Sequence, residues 1–161
     1  MIESQYQSSG TNTLTIHFRI VNPSINLGTE VPLKNVKVRY YFNTATSPAA
    51  FSSACDSAAI DSPYAPICSE LTITEGTSPG TTAQAANGTY YLEFAFPTAT
   101  QSIPTADGSA TMNIRYYPSN YASGTFTPTT DYSYLVGDGG YVANPNMTAT
   151  LNDVLVWGKT P

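Results

Sequence analysis

Alternation of apolar and polar residues over short runs is the feature of this sequence that most constrains its fold. The runs that show it are TLTIHFRIV at 13–21, VKVRYYF at 36–42, TYYLEFAF at 89–96 and TMNIRYY at 111–117. A period of two is that of a β-strand with one buried face, and no longer window has the period of a helix. Turn sequences such as NPS, TADG and ANPN separate the runs. The pattern predicts an all-β, antiparallel two-sheet β-sandwich or jelly roll.

Length and composition indicate one extracellular domain. The chain has 161 residues with neither repeat nor internal linker, so a single module is predicted over 1–161. Residues 1–5 are set apart as a linker or cloning remnant. Charged residues make up only 11%, against a usual value of about 25%, while there are 12 tyrosines and 6 phenylalanines. A folded β-protein with a surface of hydroxyls and amides has this profile.

The charge pattern argues against several classes of partner. The net charge is −5, and the six basic residues are spread along the chain, which is not a nucleic-acid footprint. No apolar run is long enough to cross a bilayer, and the first ten residues have no apolar signal-peptide region. We therefore interpret the chain as a module of a longer secreted protein, monomeric and bound to neither nucleic acid nor membrane.

The two cysteines, Cys55 and Cys68, lie in the segment CDSAAIDSPYAPIC, within a long loop that is predicted over about residues 43–69. Their spacing is neither CxxC nor that of a zinc site, and the one histidine, His17, lies on a distant strand. A disulfide that closes this loop is favoured, which suits an oxidising compartment. Two free buried thiols remain the alternative.

Several segments resemble one known family when they are taken together and in order. They are FRIVNPSINLGTEVPLKNVKVRYYF, CDSAAI, TYYLEFAF, DYSY and LNDVLVWGKTP. These segments are similar to the family 3 carbohydrate-binding modules, the cellulose-binding modules of cellulases and cellulosomal scaffold proteins. The resemblance implies a jelly roll of about nine strands, without catalytic activity, that attaches a secreted enzyme or scaffold to cellulose.

The resemblance also implies a planar binding strip of aromatic and polar side chains. Matched residue by residue, the strip and its polar neighbours fall on Asp56, Ser57, Tyr64, Arg115, Ser119, Asn120 and Tyr121. Ser57 stands where the family often has histidine, and Tyr121 where it has tryptophan. These departures predict weaker binding, or a preference shifted toward another polysaccharide such as chitin. In the alternative, Tyr64 and Tyr121 only pack their own loops.

A structural calcium ion, which many members of this family hold, is a further implication of the resemblance. The matching residues are Asn43, Thr127, Thr130 and Asp131. Ala45 replaces a carboxylate of the family pattern, which predicts at most a weak site because calcium prefers several carboxylates. In the alternative, Asp131 caps a turn. No cofactor is otherwise required.

A second polar face is predicted from strand parity. Its members are His17, Arg19, Arg39, Tyr41, Tyr91 and Glu93, with Tyr132 nearby. In the family this region resembles a shallow groove opposite the strip, for which peptide linkers or single glycan chains are proposed ligands. Cross-strand pairing, such as Arg39 with Glu93, explains the same residues without a ligand.

Other function classes find less support in the sequence. A glycoside hydrolase needs two carboxylates that face each other across a cleft, and none of the acidic residues lies in such a motif. Serine hydrolase chemistry would have to use His17, which lies within a strand. A protein-docking sandwich, or a module that extends the cleft of a linked glycoside hydrolase without binding crystals, remains an alternative.

Overall fold

The computed structural model describes residues 1–5, 10–23, 28–44, 51–77, 90–122, 124–135 and 139–161. In this part of the chain the regular structure is strands and three short 3₁₀ turns, and no helix is long and apolar enough to span a membrane. The strands are β1 (Ile2–Gln5), β2 (Leu14–Val21), β3 (Val31–Pro32), β4 (Val36–Phe42), β5 (Phe51–Asp61), β6 (Tyr64–Pro66), β7 (Thr72–Thr77), β8 (Tyr90–Ala95), β9 (Ser102–Ile103), β10 (Ser109–Pro118), β11 (Val142–Ala143), β12 (Thr148–Leu151) and β13 (Val154–Trp157). The turns are Leu33–Asn35, Cys68–Glu70 and Pro128–Thr130.

Two antiparallel sheets form the sandwich. Sheet I has six strands in the order β11-β1-β2-β10-β5-β6, and sheet II has five in the order β13-β12-β4-β8-β7. Strands β3 and β9 pair as a separate ribbon. The predicted all-β sandwich is confirmed. The described residues form thirteen strands, more than the expected nine, and three of them, β3, β9 and β11, have only two residues each.

The core lies between the sheets and follows the predicted alternation. Every second residue of β2, from Leu14 to Ile20, is at most 5% exposed. Phe18 of sheet I meets Phe94 of sheet II with ring centroids 5.0 Å apart. Burial of each such ring stabilises the fold by about 2–3 kcal/mol. Contacts of this kind hold the two sheets together.

One long strand lies where the sequence predicts a loop. Residues 43–69 lack large alternating apolar residues, yet 51–61 form β5. This segment pairs with β10 from Ala110–Ile60 to Pro118–Phe51. Small residues are acceptable here because the neighbouring strand supplies the hydrogen bonds, and only Ala58 and Ile60 of β5 are buried.

The first five residues belong to the sandwich, which corrects the interpretation of residues 1–5 as a linker remnant. Ile2 is fully buried, and β1 pairs with β2 on one side and with β11 on the other. The Met1 amino nitrogen also donates to the Val21 carbonyl oxygen over 2.9 Å. The run is too short for its alternation to be recognised in the sequence, although Ile2 and Ser4 both point inward.

Candidate binding surface

A β-bulge places Asp56 on the outer face of sheet I. Asn113 of β10 pairs with Ser57 and Ile114 pairs with Cys55, so Asp56 is the additional residue between them. Bulges re-aim side chains at functional sites. Here the bulge brings the Asp56 carboxylate next to Arg115, whose strand parity is outward as predicted.

Asp56 and Arg115 form a bidentate ion pair. Arg115 Nε donates to Asp56 Oδ1 and Oδ2 over 2.9 and 2.7 Å, and Nη2 donates to Oδ1 over 2.7 Å. The side chains are 51% and 27% exposed. The hydrogen bonds to Asp56, and then its charge, raise the pKa of Arg115. A planar guanidinium held in this way is a fixed, flat, solvent-facing group.

Two stacked tyrosines lie beside this pair. The rings of Tyr117 and Tyr121 are 5.0 Å apart and within 8° of parallel. Tyr121 is 58% exposed and has a left-handed backbone with φ of 53°, which is unusual for a bulky residue and typical of functional sites. Its N–H donates to the Pro118 carbonyl oxygen over 2.8 Å. Strand parity predicts that Tyr117 points outward, but Tyr117 is not among the binding residues predicted from the sequence. Its position two residues after Arg115, on the same face of the strand, was the signal that could have identified it.

The other expected strip residues lie on β5, on β6 and directly after β10. Tyr64 of β6 is 74% exposed, so its ring faces solvent. Ser57 is exposed next to Asp56. Ser119 Oγ lies 3.1 Å from Ser52 Oγ, and Asn120 Oδ1 accepts a hydrogen bond from the Ala122 N–H over 3.1 Å. We call the set Tyr121, Tyr117, Arg115, Asp56, Ser57 and Tyr64 the aromatic strip.

A disulfide bond restrains the segment that carries Asp56 of the strip. Cys55, the residue before Asp56, is bonded to Cys68, and the described residues contain no free cysteine. The predicted disulfide is thus confirmed. It connects the bulge of β5 to the turn Cys68–Glu70, which follows β6 and Tyr64.

Asp131 is buried and hydrogen-bonded. It is 6% exposed, and its Oδ1 accepts from the Asn43 N–H over 3.0 Å while Oδ2 lies 3.4 Å from the Tyr40 hydroxyl. Burial raises its pKa to about 8, although both hydrogen bonds act in the opposite direction. The carboxyl group connects the end of β4 with the turn Pro128–Thr130.

The described residues around Asp131 offer the predicted calcium site a single carboxyl group. Calcium takes about six to eight oxygen ligands, usually with several carboxylates. Asp131 is one carboxyl group with both oxygens near protein donors, and the Thr127 carbonyl oxygen accepts from Thr130 Oγ1 over 2.8 Å. The described residues contain no cluster of three or more His, Cys, Asp or Glu, and Ala45 lies outside them.

The second polar face is built around Arg39 on sheet II. Arg39 Nε donates to Glu93 Oε2 over 2.8 Å, and its guanidinium lies 4.2 Å from the centroid of the Tyr91 ring. A Cβ at Gly76 would lie 2.2 Å from Tyr91 Cζ, so only glycine leaves room for this ring on β7. The expected cross-strand pair of Arg39 with Glu93 is present.

Tyr41 is not part of an accessible groove, which corrects its predicted exposure. It is 1% exposed and packs edge-on against Tyr91 and Tyr132, with centroids 6.1 and 6.0 Å apart. Its N–H donates to Ser133 Oγ over 2.8 Å, and its hydroxyl lies 2.9 Å from Thr148 Oγ1. Parity gives the side of the sheet on which a residue lies, but not whether another segment covers it.

His17 and Arg19 lie on the other side of the molecule from Arg39, which corrects their predicted grouping. Both are outward residues of β2, and β2 is a strand of sheet I. Their side of the sandwich is therefore that of the aromatic strip. Alternation shows which residues of a strand share a face, but not which sheet the strand joins.

Comparisons with known proteins agree with this architecture. The profile of the family described as "Cellulose binding domain" matches residues 1–158. Exoglucanase-2 of Thermoclostridium stercorarium is 32% identical over 152 residues, which is 94% of this chain and 15% of that protein. The chain thus spans about one seventh of the length of this relative.

Solved structures of the same kind superpose over nearly the whole chain. A family IIIA cellulose-binding domain from Clostridium cellulolyticum has a TM-score of 0.82 at 24% identity, with 99% of this chain and 96% of that one covered. The family 3a module from the cipA scaffolding of Clostridium thermocellum has a TM-score of 0.78 at 25% identity, with 98% of each chain covered. These modules bind and do not catalyse. The chain belongs to the cellulose-binding domain family, the family 3 carbohydrate-binding modules.

Proposed function

We propose that this module attaches a secreted enzyme or scaffold to cellulose through the aromatic strip. The observation that carries the proposal is the bidentate Arg115–Asp56 pair beside the stacked Tyr117 and Tyr121 on an open sheet face. These groups are flat and reach solvent; charge-assisted hydrogen bonds hold the guanidinium, and stacking holds the two tyrosine rings together. A surface of this kind suits a flat ligand better than a ligand that must enter a cleft.

The chemistry of the strip matches a β-glucan. Pyranose rings present C–H faces that pack on aromatic rings, and their hydroxyl groups pair with carboxylate and guanidinium groups. Tyr121 offers less area than the tryptophan that the family resemblance leads one to expect, and Ser57 offers no ring. We therefore propose that the module binds cellulose with moderate affinity, and that chitin is a further ligand to test.

The context proposed for the module follows from its relatives. One relative is an exoglucanase of much greater length, and one structural neighbour comes from a scaffolding protein. We propose that this chain is likewise linked to catalytic or scaffold domains, acts outside the cell and works as a monomer. The disulfide supports the extracellular location, because such bonds persist in oxidising compartments.

Loss of the Tyr121 ring is expected to weaken binding. Tyr121→Ala should lower the partition onto microcrystalline cellulose about tenfold, since one well-stacked ring contributes about 1.4 kcal/mol. The measurement is depletion of protein from solution over a range of cellulose and chitin concentrations. Leu155→Ala is the matched control, because Leu155 of β13 is 53% exposed and lies outside sheet I.

Unchanged adsorption of Tyr121→Ala would contradict the strip as the binding site. The second candidate function, contact with a peptide linker or a partner domain through sheet II, is favoured by the Arg39–Glu93–Tyr91 cluster. It predicts that Arg39→Ala weakens binding to that partner while cellulose adsorption stays at the parental level. A cleft-extending module would adsorb weakly in all variants.

Calcium is not expected to contribute to stability. Because the described residues around Asp131 offer one carboxyl group, the melting temperature should change by less than about 1 °C in excess chelator or excess calcium. Differential scanning fluorimetry of protein treated with chelator and then dialysed is the measurement. A rise of several degrees on addition of calcium, saturating with concentration, would establish a site instead.

A further inference from the structure

We propose a second sugar-binding platform on the outer face of sheet I, formed by Arg19, Glu3 and Tyr141. The proposal rests on the proposed function, since it extends the same binding face. Its ligand is a glucan chain that runs beside the chain bound by the aromatic strip. None of these three residues belongs to the aromatic strip.

The second platform repeats the components of the first. Arg19 Nε donates to Glu3 Oε2 over 2.6 Å, and Arg19 Nη2 lies 2.6 Å from the same oxygen. The guanidinium lies 4.9 Å from the centroid of the Tyr141 ring. The Arg19 side chain is 36% exposed. A carboxylate thus holds an arginine against a tyrosine at a solvent-facing site, and the strip contains the same three kinds of group in Asp56, Arg115 and Tyr117.

The two platforms lie close together on one face. Arg19 pairs with Thr111 and Arg115 pairs with Thr15, on the neighbouring strands β2 and β10. Four residues along a strand separate the two arginines, which corresponds to about 13 Å. One inter-strand rotation of about 20–25° lies between them, so both side chains face the same direction.

Polar groups connect the platforms across the sheet. Asp61 Oδ2 accepts from Thr111 Oγ1 over 2.8 Å and also from Ser109 Oγ, and Asp61 pairs with Tyr64 of the strip. Burial raises the pKa of Tyr141, while the charge of Arg19 lowers it and that of Asp61 raises it. Tyr141 therefore lies near both charges. Asp61 is thus paired with Tyr64 of the strip on one side and hydrogen-bonded to Thr111 on the other, and Thr111 is the register partner of Arg19.

This arrangement selects for ordered glucan chains. A crystalline surface presents parallel chains side by side, and a protein face with two platforms can contact neighbouring chains together. A soluble single chain can occupy only one platform at a time. The second platform should therefore contribute to adsorption on crystals and not to the affinity for a soluble cello-oligosaccharide.

The test compares single variants on two ligands. Tyr141→Ala and Arg19→Gln should each lower the partition onto microcrystalline cellulose about fivefold, from the loss of one stacked or planar group. Their affinity for cellohexaose, measured by calorimetry, should stay at the parental value. Lys34→Gln is the charge-matched control, because Lys34 is exposed in the turn Leu33–Asn35 outside both sheets. Arg19→Lys retains the pair with Glu3 and loses only the planar group, so it reports on the platform even if Arg19→Gln lowers the melting temperature.

The outcomes separate the second platform from the strip. If Tyr121→Ala weakens adsorption while Tyr141→Ala and Arg19→Lys adsorb like the parent, the strip is upheld and the second platform is wrong. If none of the three variants loses adsorption, the proposed function fails as well. Equal losses on crystals and on cellohexaose would also overturn the two-chain arrangement.

Discussion

Asp131→Asn is expected to remove a large pH dependence from the stability of this domain. The pKa of Asp131 is raised from its ordinary value of 3.8 to about 8 by burial. The folded state therefore binds this proton more tightly than the unfolded state. The resulting stability is present below about pH 4 and is lost as the pH rises through 8. The parent should lose roughly 3–5 kcal/mol relative to the variant across this window.

The variant suits this test because it keeps the geometry. An asparagine Oδ1 can still accept the Asn43 N–H, and its amide group can donate to the Tyr40 hydroxyl oxygen. Urea unfolding at intervals from pH 4 to pH 9 measures the difference, with Asp153→Asn as a control at an exposed carboxylate. If the free energy of unfolding depended on pH in the same way for the parent and for Asp131→Asn, the expectation would be wrong. Asp131 would then be ionised in the folded protein, with its charge stabilised by its hydrogen bonds.

Removal of the disulfide is expected to lower the free energy of unfolding by about 3 kcal/mol, because a bond between residues 13 apart restricts the unfolded chain. The double variant Cys55→Ser, Cys68→Ser should therefore unfold at lower urea concentration than the oxidised parent. Reduced and alkylated parent protein should match the double variant. A midpoint that is unaffected by reduction would contradict this expectation.

Removal of the disulfide should also weaken binding through the aromatic strip. Cys55 precedes Asp56 in the bulge, and Cys68 follows the strand that carries Tyr64. Without the bond, the Asp56 carboxylate is held less firmly against Arg115. Adsorption on cellulose, measured well below the new melting temperature, should fall by about threefold even though the fold is intact.

The sequence predicted the elements whose side chains alternate, because alternation records burial directly. Strands β2, β4, β8 and β10 were found in this way, with their inward residues in the core. The run FSSACDSAAID was not recognised as β5, since its structure comes from pairing with β10 and not from its own pattern. Strand pairing across distant segments cannot be read from local composition.

The candidate site was predicted in part for a similar reason. Family resemblance named the Asp56 and Arg115 positions, and the structure joins them through a bulge that no local pattern indicates. The predicted exposure of Tyr41 and the predicted sheet of Arg19 were wrong, because covering segments and sheet membership are properties of the whole fold. Whether these residues hold a polysaccharide remains a prediction.

The distribution of amino groups on this sandwich has a practical consequence. The three lysines, Lys34, Lys37 and Lys159, lie in a turn, on β4 of sheet II and after β13. The basic side chains of sheet I are arginines, which do not react with amine-directed reagents, and the part-buried Met1 amino group donates to the Val21 carbonyl oxygen. Fluorophores or resins coupled through lysine would therefore attach away from the aromatic strip. The module could be labelled, or fixed to a sensor chip, with the aromatic strip left open.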